Sequence, residues 1–259
     1  MINTNIYFEL VKVPTFTTEY VTKLVGNHNT ARSAIARLMK DGVVERIRNS
    51  LYTCLSSRGG TTIASKYQIA SAITETSCVS HHSALEYYGL TNQIYYEVYV
   101  SSERRFEDFE YGGLVYRFLP LKISMGIEEP EYSNGVRITD KERTVIDSIK
   151  DFDRIGGLEE LLSALEPIQY IDEEKIIKYL IAYNNKFLSQ KVGYLFEHSQ
   201  NNLKLSNEFY RMCRQLAGKS KRYLSKEQKN GKLIKEWNLV VPEDMYNIQG
   251  MAGDIIVSI

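Results

Sequence analysis

Three cysteines in 259 residues are too few, and odd in number, for a fold held by disulfides. Cys54, Cys78 and Cys213 lie far apart and no CxxC pair occurs, which predicts reduced thiols and a cytoplasmic protein. No stretch approaches the roughly 18 apolar residues of a membrane span, so none is expected to cross a bilayer. The opening MINTNIYFEL lacks the basic and apolar regions of a signal peptide, and none is expected. Net charge is absent too: Lys+Arg and Asp+Glu each number 32, so the total says nothing about a partner. Repeats and low-complexity tracts are also missing.

What is present is a chain able to fold. Hydrophobic residues make up 43% and charged residues 25%, a balance that supports a sizeable core, and the length allows two domains. The charge is unevenly spread. Residues 1–58 hold 8 Lys/Arg against 4 Asp/Glu, residues 59–150 hold 9 against 13, and residues 204–235 hold 10 against 2. Two basic regions in a neutral chain suggest a polyanion partner, with an ordinary solvated surface as the simpler reading.

The first 57 residues read as one unit. IYFELVKV is a short apolar helix stopped by Pro14. Thr17 or Thr18 caps a second helix that runs to Val25, where Gly26-Asn27 breaks it. A third opens at Asn27 or Asn29 and carries Ala31, Ala34, Ile35, Leu38 and Met39, the spacing of a buried stripe. VVERIR-NS-LYTCL then reads as a β-hairpin around a two-residue turn. Helix, short turn, helix, hairpin is the order of a winged helix-turn-helix. SSRGGTT, residues 56–62, is the most loop-like run and the expected boundary. Beyond it the sequence predicts a mixed α/β domain over 62–259: a helix from about Ile63 to Thr76, strands in IYYEVYVSS, LVYRFLPL and GVRI, and a helix in TDKERTVIDSIKDF with Thr139 and Glu142 as a capping box. Further helices are expected in LEELLSAL, in EEKIIKYLIAY capped by Asp172, in KFLSQKVGYLFEHS and in NEFYRMCRQLAG, then a strand in EWNLVV. The tail after Pro242 reads as a loop and a short apolar strand.

SHHSALEYYGL, residues 80–90, invites an enzyme reading. A Ser–His pair needs the imidazole within reach of the hydroxyl and a carboxylate behind it. Neighbours on a helix point about 100° apart, so His82 and Ser83 are badly placed, and no GxSxG elbow occurs. A zinc site needs ligands repeated at helical or hairpin spacing, which His81-His82, with His28 and His198 elsewhere, does not supply. Ser83-Ala84-Leu85-Glu86 fits a capping box and Gly89 a helix stop, so His81 and His82 read as helix-opening residues.

If the stripe of the third helix is buried, its other face shows Thr30, Arg32, Ser33, Ala36, Arg37 and Lys40. The N-terminal part of a recognition helix meets base edges, which makes Arg32 and Ser33 the first candidates, then Thr30, Ala36 and Arg37. Lys40, Arg46 and Arg48 suit phosphate, with Arg46 and Arg48 expected on one face of the hairpin by strand alternation. Lys219, Lys221, Arg222, Lys226, Lys229 and Lys232 form a possible second basic surface, or a solvated basic loop. Glu142 reads as a capping residue and Asp147 as a partner in an internal salt bridge.

Four segments together resemble the AbiEi family, antitoxins of type IV, abortive-infection toxin–antitoxin systems. VSHHSALEYYGL resembles its SH-SAL-x-x-x-GL element, DGVVERIRNSLYTCL its wing, VRITDKERTVIDSI its E-R-T-containing helix, and KVGYLFE its late G-y-L helix. The likeness spans residue 17 to about residue 197, with Asn49-Ser50 where a wing glycine is common. It implies an α+β fold: an N-terminal winged helix-turn-helix (1–57) that binds inverted repeats in double-stranded DNA and represses its own operon, and a larger mixed α/β domain (62–259) that counteracts a nucleotidyltransferase toxin without a stable complex. No catalytic residue, cofactor or metal is expected. The competing reading is a winged helix fused to a metal-dependent nuclease or nucleotidyltransferase. It finds only Glu227-x-Lys229, with no preceding strand and no G-S-x10-D-x-D pattern.

Overall fold

The structure, a computed structural model, describes residues 2–56, 60–91, 93, 95–198, 203–225 and 231–242. By packing, the chain divides into two compact units: residues 1–79, 95–121 and 127–138 form the first, and 80–94, 122–126 and 139–259 the second. The linker expected at 56–62 does not separate them. It falls inside the first unit, because the hairpin before it packs on residues after it.

The first unit begins with helix α1 (Ile2–Leu10), strand β1 (Phe16–Thr17), helices α2 (Thr18–Val25) and α3 (His28–Lys40), and strands β2 (Val44–Arg48) and β3 (Leu51–Cys54). The caps are side chains chosen for the job. The Thr17 hydroxyl accepts the Tyr20 N–H at 3.1 Å, and the Asn27 carboxamide accepts the Thr30 N–H at 3.0 Å. Between them Gly26 takes φ 76°, a left-handed conformation that costs glycine little. Two helices are thus joined by a two-residue corner, and Ala31, Ala34, Ile35 and Leu38 turn inward onto Leu10, Phe16, Val21, Val44 and Tyr52. Met39, expected in the stripe, is only half-buried. β1, a two-residue strand with no signal in the local sequence, pairs with β3, giving the antiparallel order β1-β3-β2.

Helix α4 (Lys66–Ser71) follows, capped by a reciprocal Ser65–Gln68 box. It is shorter than expected because its C-terminal side is rich in hydroxyls. The Ser77 hydroxyl takes the Thr74 N–H at 3.0 Å and so offers the backbone a turn instead of a helix. A six-stranded sheet completes the unit: β4 (Cys78–Val79), β5 (Glu97–Ser102), β6 (Phe109–Tyr111), β7 (Leu114–Pro120), β8 (Ile127–Glu128) and β9 (Ile138–Thr139), in the order β6-β7-β5-β4-β9-β8. β5 and β7 are parallel, and β6 folds back on β7 through Gly112-Gly113, both at positive φ.

The second unit is mainly helical. It holds α5 (His81–Tyr87), α6 (Lys141–Lys150), a 3-10 turn at Phe152–Arg154, α7 (Gly157–Leu165), α8 (Glu173–Tyr183), α9 (Lys186–Glu197), α10 (Asn207–Leu216), and a small sheet of β10 (Arg222–Tyr223), β11 (Gly231–Ile234) and β12 (Leu239–Pro242) in the order β10-β12-β11. Val145, Ile146, Ile149, Leu161, Ile176, Val192 and Trp237 lie in one core. α6 is buried on almost every side, so its charges are paired: Arg143 donates Nε to Asp147 at 2.9 Å and its second nitrogen to the Met125 carbonyl at 2.6 Å, and Tyr183 donates to Asp147. The internal partner expected for Asp147 is therefore present. The capping box is not: Asp140, not Thr139, caps α6 by accepting the Arg143 N–H at 2.8 Å, and Glu142 accepts the Asp172 N–H at 3.1 Å. Ser83 likewise does not cap α5. It lies inside the helix, fully buried, and the residue before the helix is Ser80.

Candidate nucleic-acid interface

The outer face of α3 follows from its inner one. With Ala31, Ala34, Ile35 and Leu38 buried, Thr30, Arg32, Ser33, Ala36, Arg37 and Lys40 are all exposed. Between α3 and the hairpin runs an open groove of about 500 Å³, lined by Asn29, Arg32, Ser33, Ala36, Met39, Arg46 and Tyr52 among others. Arg46 lies directly across the hairpin from Tyr52, and its guanidinium sits 5.7 Å from the ring centroid. The groove thus carries a cation on each wall, Arg32 from the helix and Arg46 from the strand. Among the described residues neither they nor Lys40 form an ion pair with a carboxylate. Asn29 and Tyr52 were not singled out from the sequence. Asn29 stands one helical turn before Arg32 on the same face, and Tyr52 follows from the hairpin register opposite Arg46; those signals locate both.

Arg48 is not placed as expected. The ladder shifts register between Arg46 and Arg48, and the bulge breaks the alternation that would set both on one face. The Arg48 guanidinium instead covers Phe109 at 4.9 Å and Phe106 at 5.5 Å, half-buried within its own unit. Burial lowers its pKa from the usual arginine range, against the opposing charge of Glu107. The neighbouring Glu45 is held by the Tyr111 hydroxyl, which donates to it at 2.8 Å. Burial, then that bond, pushes the Tyr111 pKa up. Arg48 therefore anchors the hairpin, and Arg46 is the cation it presents.

In the second unit, Lys219, Lys221 and Arg222 are exposed on and just before β10. Lys226 and Lys229, with Glu227, lie outside the described residues.

The histidines are more deeply set than helix-opening residues need to be. His81 is 3% exposed and holds φ 53°, rare for a side chain with a Cβ. Its Nε2 lies 3.4 Å from Asp151 Oδ2, and its Nδ1 lies 3.0 Å from Ser80 Oγ. A carboxylate only accepts, so Nε2 carries a proton toward Asp151. Burial would raise the Asp151 pKa, but the hydrogen bonds from His81 and Lys150 and the Lys150 charge hold it well below the usual carboxylate range. A serine–histidine–aspartate chain exists, through Ser80 rather than Ser83, yet Ser80 is fully buried and meets no solvent. His82, also fully buried, lies 3.6 Å from Glu160, which accepts from Thr91 Oγ1 at 2.5 Å. Among the described residues no group of three or more His, Cys, Asp and Glu side chains is placed to hold a metal ion. Among the described residues Cys54, Cys78 and Cys213 form no disulfide; all three are buried, and burial pushes the Cys54 thiol up to about 11 and the Cys213 thiol up to about 12.

The fold has a known likeness. The chain superimposes on the crystal structure of the RV2827C protein from Mycobacterium tuberculosis with a TM-score of 0.66 and 13% identity, covering 97% of this chain and 94% of that one. At that identity the likeness speaks for a shared α+β fold alone. No family model and no curated protein matches the sequence. Among the described residues no helix is long and apolar enough to cross a membrane.

Proposed function

We propose that the chain is a DNA-binding repressor of the AbiEi type, whose first 57 residues act as a winged helix-turn-helix. The observation that carries the reading is the solvent face of α3, where Thr30, Arg32, Ser33, Ala36, Arg37 and Lys40 stand together beside a groove closed by Arg46. α3 enters the major groove of the operator. Arg32 and Arg37 read base edges, the planar fork of each suiting guanine O6 and N7. Lys40 and Arg46 neutralise phosphates, and Arg48 holds the hairpin in place for Arg46. The resemblance to AbiEi supplies the rest: inverted-repeat operators, repression of its own operon in the cytoplasm, and action against a nucleotidyltransferase toxin without a stable complex.

A mobility-shift titration with the DNA upstream of the gene tests the reading. Arg32→Ala and Arg37→Ala should each lose about 1–3 kcal/mol of specific affinity with the fold unchanged. Full operator affinity in both variants would remove α3 as the reader.

A further inference from the structure

Part of the basic run of the second unit, residues 218–224, is built on a fixed backbone. Residues 204–235 hold 10 Lys/Arg against 2 Asp/Glu. Two of those cations are engaged locally: Arg211 with Glu208 at 2.5 Å and Arg214 with Glu197 at 3.4 Å. Lys219, Lys221 and Arg222 are exposed and pair with no carboxylate among the described residues. Their backbone is fixed from beneath. The buried Gln190 amide nitrogen, 1% exposed, lies within hydrogen-bond reach of the Gly218 and Ser220 carbonyls, each at 3.1 Å and on either side of Lys219, and of the Trp237 carbonyl at 2.8 Å. The strand is locked next: the Arg222 N–H donates to the Asn238 carbonyl at 3.0 Å and the Leu224 N–H to Val240 at 2.9 Å. Ordering these cations in advance lowers the entropy lost when a polyanion binds.

The aromatic content narrows the polyanion. Tyr223 is 55% exposed, and Lys221 Nζ lies 5.4 Å from its ring centroid. On alternate sides of the strand, Arg222 sits 5.9 Å from the Phe187 ring, next to the exposed Lys186. An exposed ring flanked by cations can stack an unpaired base while the cations follow the backbone. Paired bases already stack on each other and offer no face to it. We propose that Lys219, Lys221 and Tyr223, with Arg222 at the edge of the same strand, form a second binding surface, for single-stranded nucleic acid. The proposal is independent of duplex reading by α3.

Fluorescence anisotropy of the full chain tests it, with labelled mixed-sequence oligonucleotides of about 15 nucleotides as single-stranded RNA, single-stranded DNA and the matching duplex, none containing the operator. At least one of the single strands should bind about tenfold more tightly than the duplex, and the two strands show which sugar is preferred. The combined Lys219→Glu, Lys221→Glu, Arg222→Glu variant should lose that binding and keep its thermal transition, since all three side chains are exposed. Tyr223→Ala should weaken it about tenfold and Tyr223→Phe, which keeps the ring, should not. The Arg32→Ala, Arg37→Ala double variant should bind single strands as before. Equal affinity for duplex and single strand, undiminished binding by Tyr223→Ala, or loss in the α3 double variant would each overturn the proposal.

Discussion

Replacing Gly193 by Ala should loosen the second unit, and the structure says by what route. Gly193 lies in the middle of α9, where alanine is favoured over glycine by about 1 kcal/mol. Propensity alone therefore predicts a gain. A Cβ built there, however, falls 2.1 Å from two ring carbons of Trp237 and 2.8 Å from a third. The ring must withdraw to at least 3.4 Å for ordinary contact. It has nowhere cheap to go: Trp237 is fully buried, its indole N–H donates to Glu197 at 2.5 Å, and Arg214 lies 5.5 Å from its ring. Forced overpacking of this kind costs about 1–3 kcal/mol, and more when a large rigid ring must move. Against the propensity gain of about 1 kcal/mol, the net loss should be up to about 2 kcal/mol. Trp237 is the only tryptophan, so its fluorescence reports both the displacement and the unfolding transition. Gly193→Ala should red-shift its emission and lower the denaturant midpoint. A variant as stable as the parent, with an unchanged spectrum, would mean that the ring does not seat on Gly193.

The remaining predictions concern both units. Ile35→Ala and Leu38→Ala, at buried positions of α3, should each cost about 2–5 kcal/mol, seen as faster amide exchange throughout α3 and β2; unchanged protection would mean the helix is turned the other way. Ser50 holds φ 59° at the hairpin turn, so Ser50→Gly should stabilise the protein by about 0.5–1 kcal/mol in a denaturant melt, and a loss would show that the side chain contributes there. The folded-state pKa of Asp151 is depressed, so its contribution is present above the unfolded value of about 3.9 and is lost as pH falls below it. The stability gap between the parent and Asp151→Asn should therefore hold at neutral pH and close on acidification; a gap independent of pH would refute the His81–Asp151–Lys150 linkage.

What was legible in the sequence was local. Asp172 announces its helix, and the sequence narrows two other caps to Thr17 or Thr18 and to Asn27 or Asn29, because a cap is a contact between residues three apart. Ala31, Ala34, Ile35 and Leu38 announce the buried face of α3 because period alone decides it. What was hidden depends on partners distant in the chain. The two-residue strands β1, β4 and β8 exist only because of the strands they pair with, such as Phe16 opposite Tyr52. Arg48 looked equivalent to Arg46 because the bulge that separates them, and the rings of Phe106 and Phe109, leave no trace in VVERIR. Thr139 and Asp140 are both good caps, and only the geometry of Arg143 chooses between them. His81 reached Asp151, 70 residues on, by a route no local motif shows.

The chain passes from one unit to the other five times, after residues 79, 94, 121, 126 and 138. Translation delivers such a path in an awkward order. α3 and its hairpin emerge early, but β9, whose Ile138 pairs with Val79 of β4, emerges some 60 residues after β4, roughly 3–12 s at ribosomal speed. Leu85 on α5 waits in turn for the helices made after residue 139. A message cut short before Ile138 therefore makes neither unit whole, and no protease nick at a single site releases one half intact from the other.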